Sequence, residues 1–85
     1  MSARERALRE RLEHRFQPLE LSVEDEGHLH IGHLNEGRGH FRVRIVAEAF
    51  RGLTPIARHR LVYAALEDLM KSEVHAIAIE AKAPS

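Results

Sequence analysis

The sequence predicts a small α/β domain with the element order α-β-β-α-β, in which helices pack on a three-stranded mixed sheet. Apolar residues recur at helical spacing in two segments and alternate with polar residues in three others. The last two predicted strands flank a helix, and this order implies a right-handed crossover between parallel strands. Because 85 residues hold one modest core, we expect a single domain over residues 1–85.

The first helix is predicted over Ala3–Arg15. Ser2 and Glu5 have the spacing of a capping box, and the helix should stop before Pro18. Its apolar positions follow at four-residue steps: Leu8, Leu12 and Phe16. This spacing gives the helix one apolar face to bury.

The first two strands are predicted from strict alternation. Apolar residues alternate with polar ones at Leu19, Leu21 and Val23, and again at Phe41, Val43 and Ile45. Residues 25–39 between them lose this pattern and contain four glycines. We therefore expect a long loop joining an antiparallel pair of strands, and loops of this length are often functional.

The second helix and the third strand complete the fold. A turn is predicted at Phe50–Leu53, with an extra helical turn after Phe50 as an option. Thr54 suits the N-cap of a helix that starts at Pro55 and ends near Lys71. The predicted apolar stripe of this helix comprises Leu61, Val62, Ala65, Leu66, Leu69 and Met70. The last strand is predicted over Val74–Ala81, and residues 82–85 should fray.

The composition narrows the function classes. Thirteen basic and thirteen acidic residues give a formal charge of zero, which argues against a protein that coats nucleic acid. The chain has no cysteine, so a soft metal centre would need histidine ligands or thiolates from another molecule. No nucleophile–base pair or phosphate-binding glycine loop is recognisable, which predicts a protein that is not an enzyme. No apolar run is long enough to span a membrane, and we expect a cytoplasmic protein without a membrane partner.

Histidines are the candidate ligands. Of the seven in the chain, His28, His30 and His33 crowd into the predicted loop, where two imidazoles could converge on one metal. Loop histidines are more often solvated, so spacing alone leaves both interpretations open. His75 heads the last strand in register with Ile77, which by itself favours a core or strand-edge histidine over a metal ligand.

The order of these elements and the residues they carry resemble the BolA family. The resemblance rests on six segments in this order and spacing: Leu19–Leu21, Asp25–His33, His40–Val43, Phe50–Leu53, Arg58–Leu66 and Val74–Ile77. The chain departs from the family pattern at Gly27, where many members have serine, and in a longer histidine loop. These departures leave the choice of loop ligand open.

The resemblance implies a KH-like (class II) α/β fold and a role in iron–sulfur trafficking and iron regulation. BolA-like proteins pair with monothiol glutaredoxins and share a bridging 2Fe–2S cluster, with glutathione supplied from the partner side. His75 matches the family's cluster-ligating histidine. By the loop match, His30 is the second ligand and His33 the reserve, with His28 not excluded. The protein without cluster is expected to be a monomer or a weak homodimer.

The alternative that the resemblance implies is transcription regulation, because some bacterial members bind duplex DNA. Arg51, Arg58 and Arg60 could contact phosphates near the predicted turn. KH domains grip single strands with a GXXG loop, whereas Gly52–Pro55 keeps only the first glycine of that motif. The sequence thus weakens KH-type binding and leaves duplex contacts open.

Overall fold

The computed structural model describes residues 2–26, 39–71 and 74–85. Its elements are α1 (Ala3–Phe16), β1 (Glu20–Asp25), β2 (Gly39–Val46), a 3₁₀ turn (Glu48–Phe50), α2 (Pro55–Met70) and β3 (Val74–Lys82). Two helices and a three-stranded mixed sheet confirm the predicted α/β class and element order. The short helical turn precedes Arg51 instead of following Phe50.

The sheet has the strand order β1-β2-β3. β1 pairs antiparallel with β2, with Val23 opposite Val43. β2 pairs parallel with β3, with Val43 opposite Ile79, so both predicted strand orientations are confirmed. Within the described part of the chain no strand lies beyond β3, which is therefore an edge of the sheet.

Both helices start at the predicted caps. The Ser2 hydroxyl accepts a hydrogen bond from the Glu5 amide at 3.0 Å, and Thr54 accepts one from the Ala57 amide at 3.1 Å. Pro55 occupies the first turn of α2, where its missing N–H costs no helical hydrogen bond. These local patterns needed no tertiary information.

The core lies between the helices and one face of the sheet. Its largest fully buried side chains are Leu8, Leu12, Val43, Ile45, Phe50, Val62 and Leu66. Arg11 ties the helices together, since it donates to both Asp68 carboxylate oxygens, at 2.6 and 2.9 Å, and to the Ala65 carbonyl at 2.8 Å. This hydrogen bonding lowers the pKa of Asp68 to about 2.

Two predicted core residues are exposed instead. Leu19 is 70% exposed although its amide donates to the Val46 carbonyl at 2.8 Å, so the helices do not cover the sheet at this residue. Leu61 is 40% exposed, because the buried face of α2 is set by Val62 and Ala65, and the preceding residue lies about 100° around the helix.

The predicted fraying of the last residues is wrong. β3 continues to Lys82, whose carbonyl accepts a hydrogen bond from the Ala47 amide at 3.0 Å. The Arg51 guanidinium then donates to the Pro84 carbonyl at 3.0 Å. Backbone acceptors in this segment have found donors from the rest of the fold, which holds it in place.

Candidate metal centre at one end of the sheet

One end of the sheet collects the segments that carry the candidate ligands. We call it the histidine end and define it by Glu26, Gly39 and Val74. The Glu26 amide donates to the His40 carbonyl at 2.6 Å, which joins the end of β1 to the start of β2. Gly39 pairs with Val74, which brings the start of β3 to the same place. Both ends of the residue 27–38 segment and the first residues of β3 therefore meet here.

His75 occupies an irregular position in the β2–β3 ladder. Gly39 pairs with Val74, but the next residue of β2, His40, pairs with Ala76. β3 thus has one extra residue at this point, and that residue is His75. Such irregularities recur next to functional sites, where they redirect a side chain. The sequence placed His75 in register with Ile77 by two-residue alternation, and the shift interrupts that alternation. The side chain of His75 lies outside what the structure describes.

The other predicted ligands, His28, His30 and His33, lie outside the described residues. Chain length alone limits their reach. His30 is four residues beyond Glu26, so a fully extended chain could carry it at most about 14 Å from the histidine end. No group of three histidine, cysteine or acidic side chains that could hold a metal occurs within residues 2–26, 39–71 and 74–85.

An ion pair fixes the start of the histidine-rich segment. Arg42 Nε lies 3.0 Å from Glu26 Oε2. Hydrogen bonding to Glu26, with its negative charge, raises the pKa of Arg42. The Glu26 carboxylate is thereby paired with a residue of β2. The sequence carried a signal for this pair, since Glu26 follows the first predicted strand and Arg42 lies near the start of its antiparallel partner, but no sequence argument identified it.

The three arginines of the nucleic-acid alternative do not share one environment. Arg51 donates to both Glu48 carboxylate oxygens, at 2.7 and 3.0 Å, which raises the pKa of Arg51 and lowers that of Glu48. Arg58 is half-buried and donates to the Ala81 carbonyl at 3.4 Å. Arg60 is exposed. The charge of Arg51 is therefore balanced locally, and Arg60 presents the open charge in this cluster.

The comparison with known proteins identifies the family. The sequence model for BolA, described as BolA-like protein, matches residues 12–85. The chain belongs to the BolA family. It is 41% identical over 92 residues to SufE-like protein 1, chloroplastic/mitochondrial, of Arabidopsis thaliana, covering all of this chain and 25% of that protein. It is 43% identical over 75 residues to the DNA-binding transcriptional regulator BolA of Vibrio cholerae, covering 85% of this chain and 67% of the relative.

A solved BolA domain has the same fold. The BolA domain of SufE1 from Arabidopsis thaliana superposes with a TM-score of 0.89 at 44% identity, covering 99% of this chain and 95% of that domain. The predicted BolA resemblance and the α/β architecture are confirmed, while the KH-like label stays a prediction. The chain spans 25% to 59% of the lengths of the first curated relatives it matches, so their full activities are not carried over to it.

No helix within residues 2–26, 39–71 and 74–85 is long and apolar enough to cross a bilayer. The name of SufE-like protein 1 from Arabidopsis places that relative in chloroplasts and mitochondria. The cytoplasmic location predicted from the sequence therefore stays a prediction.

Proposed function

We propose that this BolA-family protein is a non-enzymatic adaptor that binds a monothiol glutaredoxin and co-ligates a bridging 2Fe–2S cluster. Its place would be in iron–sulfur trafficking and iron regulation. The single observation that carries the proposal is the position of His75. It is the extra residue at the start of β3, at the sheet end where the segment bearing His28, His30 and His33 begins and ends.

The donor chemistry of the chain fits half of such a cluster. The chain offers imidazole nitrogens but no thiolate, because it has no cysteine. Histidine can replace cysteine on one iron of a 2Fe–2S centre, as it does in Rieske proteins. His75 and His30, with His33 in reserve, would hold this side, and cysteine and glutathione from the partner would hold the other. When bound, the cluster supplies a redox-active iron centre that can be passed on.

The role of the fold is to present the ligands. β3 is hydrogen-bonded to β2 along its length, so a ligand at its first residues starts from a fixed backbone. The Glu26–Arg42 pair anchors the segment that carries the second ligand. Imidazole must lose its proton to bind a metal, so cluster affinity should fall as the pH drops below about 6.5. A flat affinity between about pH 8 and pH 5.5 would count against histidine ligation.

Visible circular dichroism of a cluster-loaded monothiol glutaredoxin tests the proposal. Adding the wild-type chain should produce the spectrum of a new complex, and His75→Ala should abolish it. One of His30→Ala and His33→Ala should do the same. His14→Ala is the matched control, because His14 is exposed in the last turn of α1. If the wild-type chain neither binds the glutaredoxin nor alters its spectrum, the adaptor role is wrong.

Binding to duplex DNA is the second candidate, favoured by the name of the Vibrio cholerae relative, a DNA-binding transcriptional regulator, and by the exposed Arg60. It predicts an affinity that falls steeply with salt. Arg60→Ala should weaken binding, while His75→Ala should leave it unchanged. Arg51→Ala should matter less than Arg60→Ala, because Glu48 already balances the Arg51 charge. Fluorescence anisotropy of a labelled duplex at two salt concentrations measures these effects.

A further inference from the structure

A shallow groove runs between α2 and the free edge of β3. We call it the α2–β3 groove; it has a volume of about 480 Å³ and is lined by Pro55, Ile56, His59, Arg60 and Ile79. We propose that this groove binds an extended acidic peptide segment of a partner protein, which adds to β3 as a fourth strand. The inference does not rest on the adaptor function, because it uses neither His75 nor a metal.

The backbone of β3 leaves hydrogen-bonding groups on its outer edge. The Lys82 carbonyl accepts from the Ala47 amide, so Lys82 faces the neighbouring strand β2. Because backbone direction alternates along a strand, Ile77, Ile79 and Ala81 direct their amides and carbonyls outward. The Ala81 carbonyl indeed meets Arg58 Nη1, at 3.4 Å, from the α2 side. Ile77 and Ile79 thus offer a short ladder to an added strand.

Within residues 2–26, 39–71 and 74–85, no further strand pairs with this edge at Ile77 and Ile79. Native edges are commonly blocked by proline, by charged side chains or by a covering element. Residues 76–79 read Ala-Ile-Ala-Ile, without proline or charge, and the charged residues of β3 come only at Glu80 and Lys82. An apolar edge next to a groove is the arrangement that domains use to bind peptides by β-strand addition.

The helical wall of the groove is apolar at intervals and exposed. Ile56, His59, Arg60 and Tyr63 are spaced i, i+3, i+4 and i+7, which places them on one stripe of α2. Ile56 is 65% exposed and Tyr63 is 43% exposed. The His59 and Tyr63 rings stack with their centroids 6.3 Å apart, which extends the wall beyond His59. Such a stripe can pack against alternate side chains of an added strand.

Charge decides which peptide fits. Arg60 and His59 line the groove, and none of the lining residues in the described part of the chain is acidic. The acidic residues of α2 lie toward its other end, and Asp68 is paired there with Arg11. If β3 of a second copy of this chain were the added strand, its acidic residue would be Glu80. Glu80 already contacts Arg44 at 3.3 Å and Lys82 at 3.4 Å. Duplex DNA would leave Ile56 and the outward carbonyls of β3 without complementary partners, because phosphate oxygens only accept hydrogen bonds. An extended acidic peptide with aliphatic residues between its carboxylates supplies negative charge for Arg60 and His59, an apolar contact for Ile56 and hydrogen-bonding partners for the edge of β3.

The test uses a fluorescein-labelled, end-capped octapeptide in which valine and glutamate alternate at every second position, with threonine between them, so that both side-chain types share the face toward α2. We expect saturable binding, measured by fluorescence anisotropy, with a Kd below about 1 mM. Bound peptide should also slow amide hydrogen exchange at Ile77 and Ile79. The same peptide N-methylated at alternate residues should not bind, because it cannot pair with an edge strand. Arg60→Glu should weaken binding about tenfold. Arg6→Glu, which makes the same charge change at an exposed site on α1, should not.

His75→Ala should bind the peptide as wild type does, which separates this proposal from the adaptor function. The proposal is overturned if the acidic peptide fails to bind, or if the N-methylated peptide binds equally well. It is also overturned if the Ile77 and Ile79 amides become protected through self-association, seen by sedimentation at rising protein concentration. Binding of a duplex DNA probe through Arg60, without peptide binding, would overturn it in favour of the nucleic-acid function.

Discussion

The two ends of the sheet are built in different ways. At the histidine end the β2–β3 register shifts by one residue at His75. At the opposite end, which we call the capped end, the connection from Ala47 to Thr54 folds back on the sheet. There Phe50 and Ala47 are fully buried, and the Ala47 amide donates to the Lys82 carbonyl. Arg51 adds hydrogen bonds to Glu48 and to the Pro84 carbonyl.

The difference teaches how a very small domain can be stable and still present ligands. The capped end joins the core to the sheet through aromatic packing, so we expect the stability of the fold to depend more on this end than on the histidine end. The histidine end can then carry an irregular strand and imidazole side chains. Four predictions test this division, from the largest expected effect to the smallest.

Phe50→Ala should be the most damaging substitution. The Phe50 side chain is fully buried, and its ring centroid lies 5.1 Å from that of Phe16. Truncation should lower the free energy of unfolding by about 3–5 kcal/mol, because it removes buried apolar surface and leaves a cavity. Urea denaturation measures the change. Phe50→Leu should cost about 1.5 kcal/mol or less, and a loss of similar size for both variants would contradict the packing argument.

Gly52→Ala tests the turn at the capped end. Gly52 has φ +80°, and nothing lies within 4 Å of an added Cβ, so the cost is one of backbone conformation alone. We expect a loss of about 1–2 kcal/mol in the free energy of unfolding. Gly52→Asn should cost less, since asparagine adopts left-handed conformations more readily. If Gly52→Ala and Gly52→Asn lower the free energy of unfolding equally, the positive φ at Gly52 does not set the cost of a side chain there.

Asp68→Asn tests how the second half of α2, which leads to the histidine end, is held. Arg11 lowers the pKa of Asp68 to about 2, below its ordinary value near 4. A lowered folded-state pKa stabilises the protein fully above about pH 4, and this contribution is lost as the pH falls toward 2. The wild type should therefore be more stable than Asp68→Asn at pH 6, with the gap closing by pH 2.

Thermal unfolding followed by circular dichroism across this pH range measures that gap. Glu67→Gln is the control, because Glu67 is exposed on the same turn of α2. A gap between wild type and Asp68→Asn that stays constant from pH 6 to pH 2 would contradict the proposed role of the Arg11–Asp68 pair.

His75→Ala should change stability least. His75 lies at the start of β3, at the register shift. The free energy of unfolding should change by less than about 1 kcal/mol, whereas the complex with cluster-loaded glutaredoxin should be lost. Urea denaturation of the wild type and of His75→Ala measures the change in the free energy of unfolding. A destabilisation as large as that of Phe50→Ala would make His75 a structural residue and remove the contrast between the two ends.

The sequence predicted the regular parts of this fold because their signals are local. The Ser2 and Thr54 caps, the alternation in β2 and the crossover from β2 to β3 each depend on residues near one another in the chain. Leu19 and Leu61 were wrongly placed in the core. Their burial depends on which face the neighbouring elements cover, and that is a property of packing. The register shift at His75 also depends on two distant segments, Gly39 and Val74.

By itself the sequence determined the element order, the absence of thiolate ligands and the resemblance to the BolA family, which the family comparison confirmed. Only the tertiary structure decided which charges remain available. Arg11 and Arg51 are paired with Asp68 and Glu48, whereas Arg60 lines an open groove beside an unprotected strand edge. Side chains of similar charge differ in this way because pairing depends on distance in space, and the crossover helix brings Arg60 beside β3.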